Sequence, residues 1–381
     1  MPANLLAVPL GALALMSNLG ALLCGHWFPF ATMLFNQSAW FFMSAMTWVS
    51  EAFVKIPGTF FYVPEISWFT VVVFYVAVVI PFSGWLRTRV RIVFVVAAAL
   101  CLGAFYFWQW QSTHDETHLT VLPLNGSHAI YVDAPGAAND WLVNCGDTKA
   151  VQFILKDFLR AQGVNHLRRV ILTEGVKRDC GGLVPLDQLF GVGQIWTSPE
   201  HFSSAAFYDA VIGFQSNDRL LSTMQHRIMY AGDTVGCWTA LHPGSVGHFT
   251  RLDDSALVLM GNFDHTKILL LSDLGMDGQA VLLANHTNDL HADIVISGQP
   301  TMGEPLSDGL LAAIQPKLII IADSAYHTSR RSREETTLQD RLAATGIPTL
   351  YTSATGAITI TTTQHGWYAQ AMNGEGIWSK E

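Results

Sequence analysis

Charge is nearly absent from the first part of this chain. Residues 1–110 carry six charged side chains, Glu51, Lys55, Glu65, Arg87, Arg89 and Arg91. Soluble domains carry charge on about a quarter of their residues, so this part is no ordinary soluble domain. Cysteine is scarce as well. The five cysteines, Cys24, Cys101, Cys145, Cys180 and Cys237, show neither C-x-x-C spacing nor a disulfide-framework pattern. Cys24 and Cys101 lie in apolar segments, where a free thiol behaves as a small hydrophobe. No internal repeat and no low-complexity linker divides the sequence. A last absence is local. Thr173 to Leu183, TEGVKRDCGGL, follows the apolar run Arg169–Leu172 and ends in paired glycines, yet contains no histidine. Many hydrolases place a metal-binding loop at such a strand-to-helix junction.

What is present divides at about Trp108–Gln111. Ile66–Leu86 and Ile92–Trp108 are uncharged and apolar. Roughly 20 helical residues cross a hydrocarbon core, so both are expected to span a membrane. A third span is expected over about 4–24, where Pro9, Gly11 and Gly20 are residues that transmembrane helices tolerate. It lacks the basic start of a signal peptide and further spans follow it. Ser38–Lys55 mixes Trp40, Met43, Trp48 and Phe53 with serine and threonine, and is expected to be an amphipathic helix lying in the interface. Arg87, Arg89 and Arg91 occupy one short loop, which the positive-inside rule assigns to the cytoplasm. The helix from Ile92 then leaves the cytoplasm, and residues 112–381 are expected outside.

The second part, acidic and normally charged, alternates strands and helices. Strands are expected at 118–124, 129–134, 141–145, 169–173, 194–197, 227–230, 238–242, 256–260, 267–272, 294–297, 318–322, 350–352 and 357–363. Helices are expected at 151–162, 276–285, 305–314 and 334–345. Hairpins with interspersed helices predict two packed sheets with helices outside, an αββα arrangement.

An ordered set of motifs carries a resemblance. Before the last two spans come Asn4–Leu10 (NLLAVPL), Ile56–Gly58 and Ser67–Trp68. In the second part come Asn144–Gly146, Val170–Thr173 with Gly181–Gly182, Leu241–Pro243, Asp253–Ser255 with Leu257–Leu259, Leu269–Asp273, and Thr352 with Gly356–Ile358. With these motifs residues 112–381 resemble a metallo-β-lactamase-fold domain, and the chain resembles the C-terminal half of a ComEC-type competence protein. The resemblance implies a multi-pass protein of the bacterial cytoplasmic membrane, with its C-terminal domain extracytoplasmic. It further implies a channel through which one DNA strand enters the cell, and a lactamase-fold domain thought to act as a nuclease on the other strand. Single-stranded DNA and other competence-machinery proteins are the implied partners. The family's oligonucleotide-binding domain and most of its membrane helices precede the region present, so the chain is expected to be a fragment or a truncated product.

The same resemblance implies two divalent metals held by a His-x-His-x-Asp-His loop, a further His, a bridging Asp and a last His. Laid on that pattern, Glu174 and Val176 stand where the first two histidines belong, and Arg178 and Asp179 where Asp-His belongs. The early Asp is Asn144, the bridging Asp is retained as Asp273, and the late histidine stretch corresponds to Gly298–Gln299–Pro300. Valine cannot ligate a metal and arginine repels one, so the fold is expected without its metals and without a catalytic residue.

Three alternatives stay open on the sequence. Relocated histidines, from His242, His286, His291 and His327, could converge on Asp273 in an unconventional nuclease or phosphodiesterase. Cys180 as a nucleophile lacks support, because no particular histidine can be placed next to it. Lys177, Arg178, Arg330, Arg331 and Arg333 could form a metal-free phosphate site, since guanidinium matches phosphate bidentately. A membrane-tethered binding module no longer serving DNA uptake is a further class of function.

Overall fold

The computed structural model describes residues 2–25, 27–55, 61–63, 68–82, 88–113, 116–124, 126–135, 140–199, 225–244, 249–287, 289–322 and 331–378. It divides into two compact units, Met1–Tyr62 and Val63–Glu381. This division by packing groups helices of the apolar part with the α/β domain, whereas the change in composition falls near Gln111.

The first unit is a hairpin of α1 (Pro2–Cys24) and α2 (Pro29–Val54). Glycine on α1 lets the two helices approach closely. A Cβ at Gly20 would lie 2.8 Å from the Phe35 ring, and one at Gly11 would lie 3.7 Å from Met46 Sδ. Within α2, Ala39 is buried while Trp40 and Trp48 are exposed. The helix expected over 38–55 is longer than expected and begins earlier. The expected stretch is the second half of a 26-residue helix that starts with Pro29, a residue suited to the first helical turn, and that packs along α1. Among the described residues, the segment Asn4–Cys24 alone is long and apolar enough to cross a membrane. Leu5, Leu15, Leu22 and Leu23 are largely exposed there, an apolar surface of the kind that calls for lipid or a protein partner.

The second unit begins with α3 (Trp68–Phe82) and α4 (Thr88–Thr113). Helices lie where spans were expected at 66–86 and 92–108, but with other bounds, and Arg89 and Arg91, expected in a loop, fall in the first turn of α4. The Tyr106 hydroxyl donates to Thr70 Oγ1 between the two helices at 3.1 Å. The α/β domain follows. Its first sheet contains β1 (Thr117–Leu124), β2 (Ser127–Asp133), β3 (Trp141–Val143), β4 (Leu167–Leu172), β5 (Val192–Thr197) and β6 (Gln225–Ile228). The second contains β7 (Thr234–Val235), β8 (Trp238–His242), β9 (Val258–Phe263), β10 (Thr266–Ser272), β11 (Ile294–Ser297), β12 (Leu318–Ile321) and β13 (Thr349–Tyr351). The chain then returns to the first sheet through β14 (Ile358–Thr363), β15 (Gly366–Ala371) and β16 (Gly376–Trp378). The strand orders are β16-β15-β14-β1-β2-β3-β4-β5-β6 and β13-β12-β11-β10-β9-β8-β7.

Alternation along the strands builds three cores. Leu119, Val121, Ile130, Val132 and Ile171 of the first sheet meet Trp238, Leu259, Leu270 and Ile296 of the second. The opposite face of the first sheet, with Leu122, Leu124 and Leu142, packs on Leu155 and Leu159 and on Leu183, Leu186 and Phe190. The opposite face of the second, with Leu269, Val295 and Ile319, packs on Leu282, Leu310 and Leu342. The domain is therefore four-layered, helices–sheet–sheet–helices, as expected. Strands buried on both faces read as continuous apolar runs, such as Leu318–Ile321.

The helix expected at 151–162 is interrupted. Thr148–Ala150 and Lys156–Ala161 flank a π-helical stretch, Val151–Leu155. The helix expected from Pro305 starts at Asp308 instead, after Ser307 in extended backbone. Strands β7, β15 and β16 lie outside every strand expected from the sequence.

Candidate functional site

Three strand ends and their loops meet at one end of the sandwich. After β4 the chain passes Thr173 and Glu174 into a short helix, Lys177–Cys180. After β10 it turns through Ser272, whose φ of +53° is left-handed, into Asp273. At the start of β2 stand Ser127 and His128. Period-2 alternation puts His128 on the inner face with Ile130 and Val132.

Backbone packing fixes the first loop. The carbonyl of Asp179 accepts from the Cys145 and Gly146 amides at 3.0 and 3.1 Å. The Gly182 amide donates to the Gly146 carbonyl at 2.8 Å. A Cβ at Gly182 would lie 2.4 Å from Val151 Cγ2 and 2.8 Å from the Asp147 carbonyl oxygen, so a side chain there would break the junction. The Asp253–Asp254 pair fixes the second loop. The Asp253 carbonyl accepts from Gly275, its carboxylate accepts from the Thr301 amide at 2.6 Å, and Asp254 Oδ1 accepts from the Asp277 and Gly278 amides.

These loops bring Glu174, Asp179 and Asp273 together, with one carboxylate oxygen of each within 4.8 Å of the others. All three are at least 95 % buried. Arg178 joins them. Its Nη2 donates to Asp273 Oδ2 in a short charge-assisted bond, and its Nε donates to Asp179 Oδ2 at 3.2 Å. One guanidinium thus bridges two carboxylates through two prongs of its fork. Ser127 Oγ donates to the other oxygen of Asp179, and the Asp273 amide donates to Glu174 Oε1 at 3.1 Å. Glu174 Oε2 and His128 Nε2 are buried without a hydrogen-bond partner. His128 Nδ1 lies 3.9 Å from Asp273 Oδ1.

The electrostatics follow from this crowding. Burial, then Asp273 and Asp179, push the Glu174 carboxyl well above the ordinary carboxylate range, against the pull of Arg178. Burial, then Asp273, raise Asp179 to about 6, against Arg178, Ser127 and His128. Burial works to lower Arg178, but Asp273, Asp179 and Glu174 outweigh it and fix the guanidinium as charged. His128 is pushed down, chiefly by burial, and is neutral at physiological pH.

The remaining residues of the sequence-level pattern lie apart from this cluster or beside it. Asn144, with a left-handed φ of 57°, uses Oδ1 to accept from the Thr173 amide at 2.9 Å and the Thr173 hydroxyl at 3.0 Å. It ties β3 to β4. Val176 precedes the short helix and Lys177 is exposed. Gly298 stands against Asp273. A Cβ there would lie 1.8 Å from Asp273 Oδ1, so the loop that could have carried a late histidine has no room for its first side chain. Gln299 beside it is half-buried.

Of the histidines singled out on the sequence, the three among the described residues do not converge. His242 Nε2 bonds the Asp254 carbonyl at 2.8 Å and His291 Nδ1 the Ile314 carbonyl at 3.1 Å, while His286 ends the helix Met276–His286. Cys180 is buried and its thiol is pushed up to about 12, chiefly by burial, which is unsuited to a nucleophile. Arg178 is committed to carboxylates rather than held out to a phosphate. Arg331 and Arg333 open the helix Arg331–Ala344, and His327 and Arg330 lie outside the described residues. Ser127 and His128 are the site residues that the sequence reading missed. The alternation His128–Ile130–Val132 was the signal for a buried histidine at this strand end.

Among the described residues, Glu174, Asp179 and Asp273 are the one group of three or more potential ligands close enough to share a metal ion. Three oxygens with a single imidazole, His128, beside them, and with Asp179 and Asp273 already bridged by a fixed cation, do not fit a pair of divalent ions. Such ions usually need four or more ligands each.

Residues 1–88 match the family model described as competence protein. No curated protein matches the chain by sequence. Among solved structures, the Rm3 metallo-β-lactamase aligns at 15 % identity over 47 % of this chain and 74 % of its own, with a TM-score of 0.32. The diiron β-hydroxylase CmlA from Streptomyces venezuelae aligns at 12 % identity over 61 % and 52 %, with a TM-score of 0.40. A long form RNase Z from yeast aligns at 9 % identity over 57 % and 39 %, with a TM-score of 0.35. At these values the structural likenesses carry no argument about activity. With its family match over residues 1–88, the chain resembles a ComEC-type competence protein, and its second part has αββα layering.

Proposed function

We propose that the chain is a membrane-bound ComEC-like component of DNA uptake, whose lactamase-fold domain keeps the hydrolase scaffold without its metal pair and does not cut DNA. The observation that carries this is the Arg178 guanidinium bridging Asp179 and Asp273. A fixed positive charge on the retained bridging aspartate competes directly with a divalent cation. In this reading the membrane part contributes the spans expected at about 4–24, 66–86 and 92–108, and the three arginines Arg87, Arg89 and Arg91, the last two in the first turn of α4, mark a cytoplasmic end that leaves the domain on the extracytoplasmic side of the bacterial inner membrane. Single-stranded DNA and other competence-machinery proteins are the partners this role requires.

The clustering of three buried carboxylates, with Glu174 Oε2 unpartnered, favours one second reading. In it the domain is a metal-dependent extracytoplasmic nuclease or phosphodiesterase with an all-oxygen site. Metal analysis of the full chain purified in detergent separates the two, combined with a nuclease assay in Mn²⁺ and Mg²⁺. Less than a tenth of an equivalent of metal and no cleavage support the first reading. Stoichiometric metal with cleavage lost on Asp273→Asn overturns it.

A further inference from the structure

Three carboxyl groups lie within one small buried space, which is an unfavourable arrangement unless something positive stands among them. Here Arg178 does so, and it enters from the same short helix as Asp179. Its guanidinium links the loop after β4 to the loop after β10, the two segments that a bridging ion would otherwise join. Ser127 and His128 close the group from the start of β2. Glu174 Oε2, on a residue 3 % exposed, has no partner. The cluster therefore contains an oxygen that could serve as a ligand and that Arg178 leaves unused.

We propose that Arg178 is an internal counter-cation seated where a divalent ion would fit, so that removing its guanidinium turns the Glu174–Asp179–Asp273 cluster into a divalent-cation site. The inference rests on the proposed metal-free state of the unchanged protein. The chemical class of ligand follows from the donors. Three carboxylate oxygens suit a hard, oxygen-seeking cation such as Mn²⁺, Mg²⁺ or Ca²⁺. Arginine substitutes for such an ion because its charge is permanent and its planar fork can bridge two carboxylates. Assembly of the domain is then independent of metal supply, and chelators leave it intact.

The test uses the full chain in detergent, unchanged and as Arg178→Ala, with unfolding followed by tryptophan fluorescence in EDTA and in increasing Mn²⁺. In EDTA, Arg178→Ala should unfold well below the unchanged protein. Mn²⁺ at about a hundred times its Kd should raise the variant's midpoint by roughly 5–10 °C. The unchanged protein should shift by less than about 1 °C, within the scale of unspecific salt effects. Adding Asp273→Asn to Arg178→Ala should abolish the shift. Arg178→Gln, which keeps most of the side-chain volume, guards against a folding defect from the cavity alone. A variant that folds only with Mn²⁺ supports the proposal. Absence of any Mn²⁺ effect on both Arg178→Ala and Arg178→Gln overturns it, whether or not they fold. A large Mn²⁺ shift in the unchanged protein, with metal retained through gel filtration, instead overturns the metal-free reading on which the proposal rests.

Discussion

Asp179 offers a direct measure of how strained the charge balance of this cluster is. It is 1 % exposed and faces Arg178, Asp273, Glu174, His128 and Ser127. Burial, then Asp273, move its carboxyl from 3.8 to about 6. Each pH unit between the folded and unfolded values corresponds to about 1.4 kcal/mol, so charging Asp179 in the folded protein costs about 3 kcal/mol. The folded value is the higher one. The group therefore favours folding most in acid, and that contribution is lost as pH rises from about 4 through about 6. Asp179→Asn removes the titration with little change of shape. The amide oxygen can accept from Arg178, and the amide nitrogen can donate to Ser127 Oγ, whose hydroxyl is free to turn. Arg178 keeps Asp273. The variant should match the unchanged protein at pH 4 and exceed it at pH 7.5 by up to about 3 kcal/mol. At roughly 2–4 °C per kcal/mol for a domain of this size, that gives up to about 10 °C. Thermal unfolding in detergent at a series of pH values reads the difference. A variant destabilised equally at pH 4 and pH 7.5 would refute the reasoning, because Asp179 would then be held as a charged partner throughout.

Gly298→Ala places a methyl group 1.8 Å from Asp273 Oδ1 and 2.8 Å from His128 Cε1; a loss of about 1–3 kcal/mol is expected in the unfolding midpoint. Asn144→Ala strips the buried Thr173 amide of its acceptor and puts a Cβ-bearing non-polar residue at φ 57°, for a loss of about 2–4 kcal/mol. Asn144→Gly removes the same acceptor but suits the backbone, so it should be the milder of the two, and equal losses would count against the left-handed contribution. Cys180 should resist iodoacetamide at pH 8 in the folded protein and react only on unfolding, as peptide mapping would show; rapid native labelling would contradict its burial and raised pKa.

The layering of the domain was legible because several strands are buried on both faces. Ile294–Ser297 and Leu318–Ile321 are nearly uninterrupted β-branched and leucine runs, bounded by polar turns, and they are found where they were expected. Strand β15 was not legible: Trp367, Ala369 and Ala371 alternate inward, but two of the three are small and carry little hydrophobic signal. The start of α2 was missed for a different reason. Thr32, Asn36 and Gln37 interrupt its first turns, and the compensation lies in packing along α1, which no local pattern records. At the site, Glu174, Asp179 and Asp273 were singled out through the resemblance to the family's metal-loop pattern; Glu174 and Asp273 stand just beyond β4 and β10, while Asp179 lies in the short helix that follows β4. The destination of Arg178 was not legible. Its partner Asp273 is 95 residues away in sequence, and a long flexible cation after a strand reads equally well as a solvated loop charge.

The direction of Arg178 can still be argued from charge alone once the carboxylates are in place. Glu174 adds a third acid to a buried site already holding Asp179 and Asp273. Buried acids crowded together are balanced in one of two ways, by a bound cation or by a cation from the chain. Here Arg178 stands among the three acids, so the chain itself supplies positive charge. Protonation completes what one guanidinium cannot. Burial and the neighbouring carboxylates hold Glu174 far above its ordinary range, which leaves one charged arginine shared mainly between Asp179 and Asp273. Arg178 turned outward to a phosphate would leave those two aspartates buried together without a counter-charge. A role in holding DNA is therefore better sought among exposed cations such as Lys177, which faces no carboxylate of this cluster in any ion pair among the described residues.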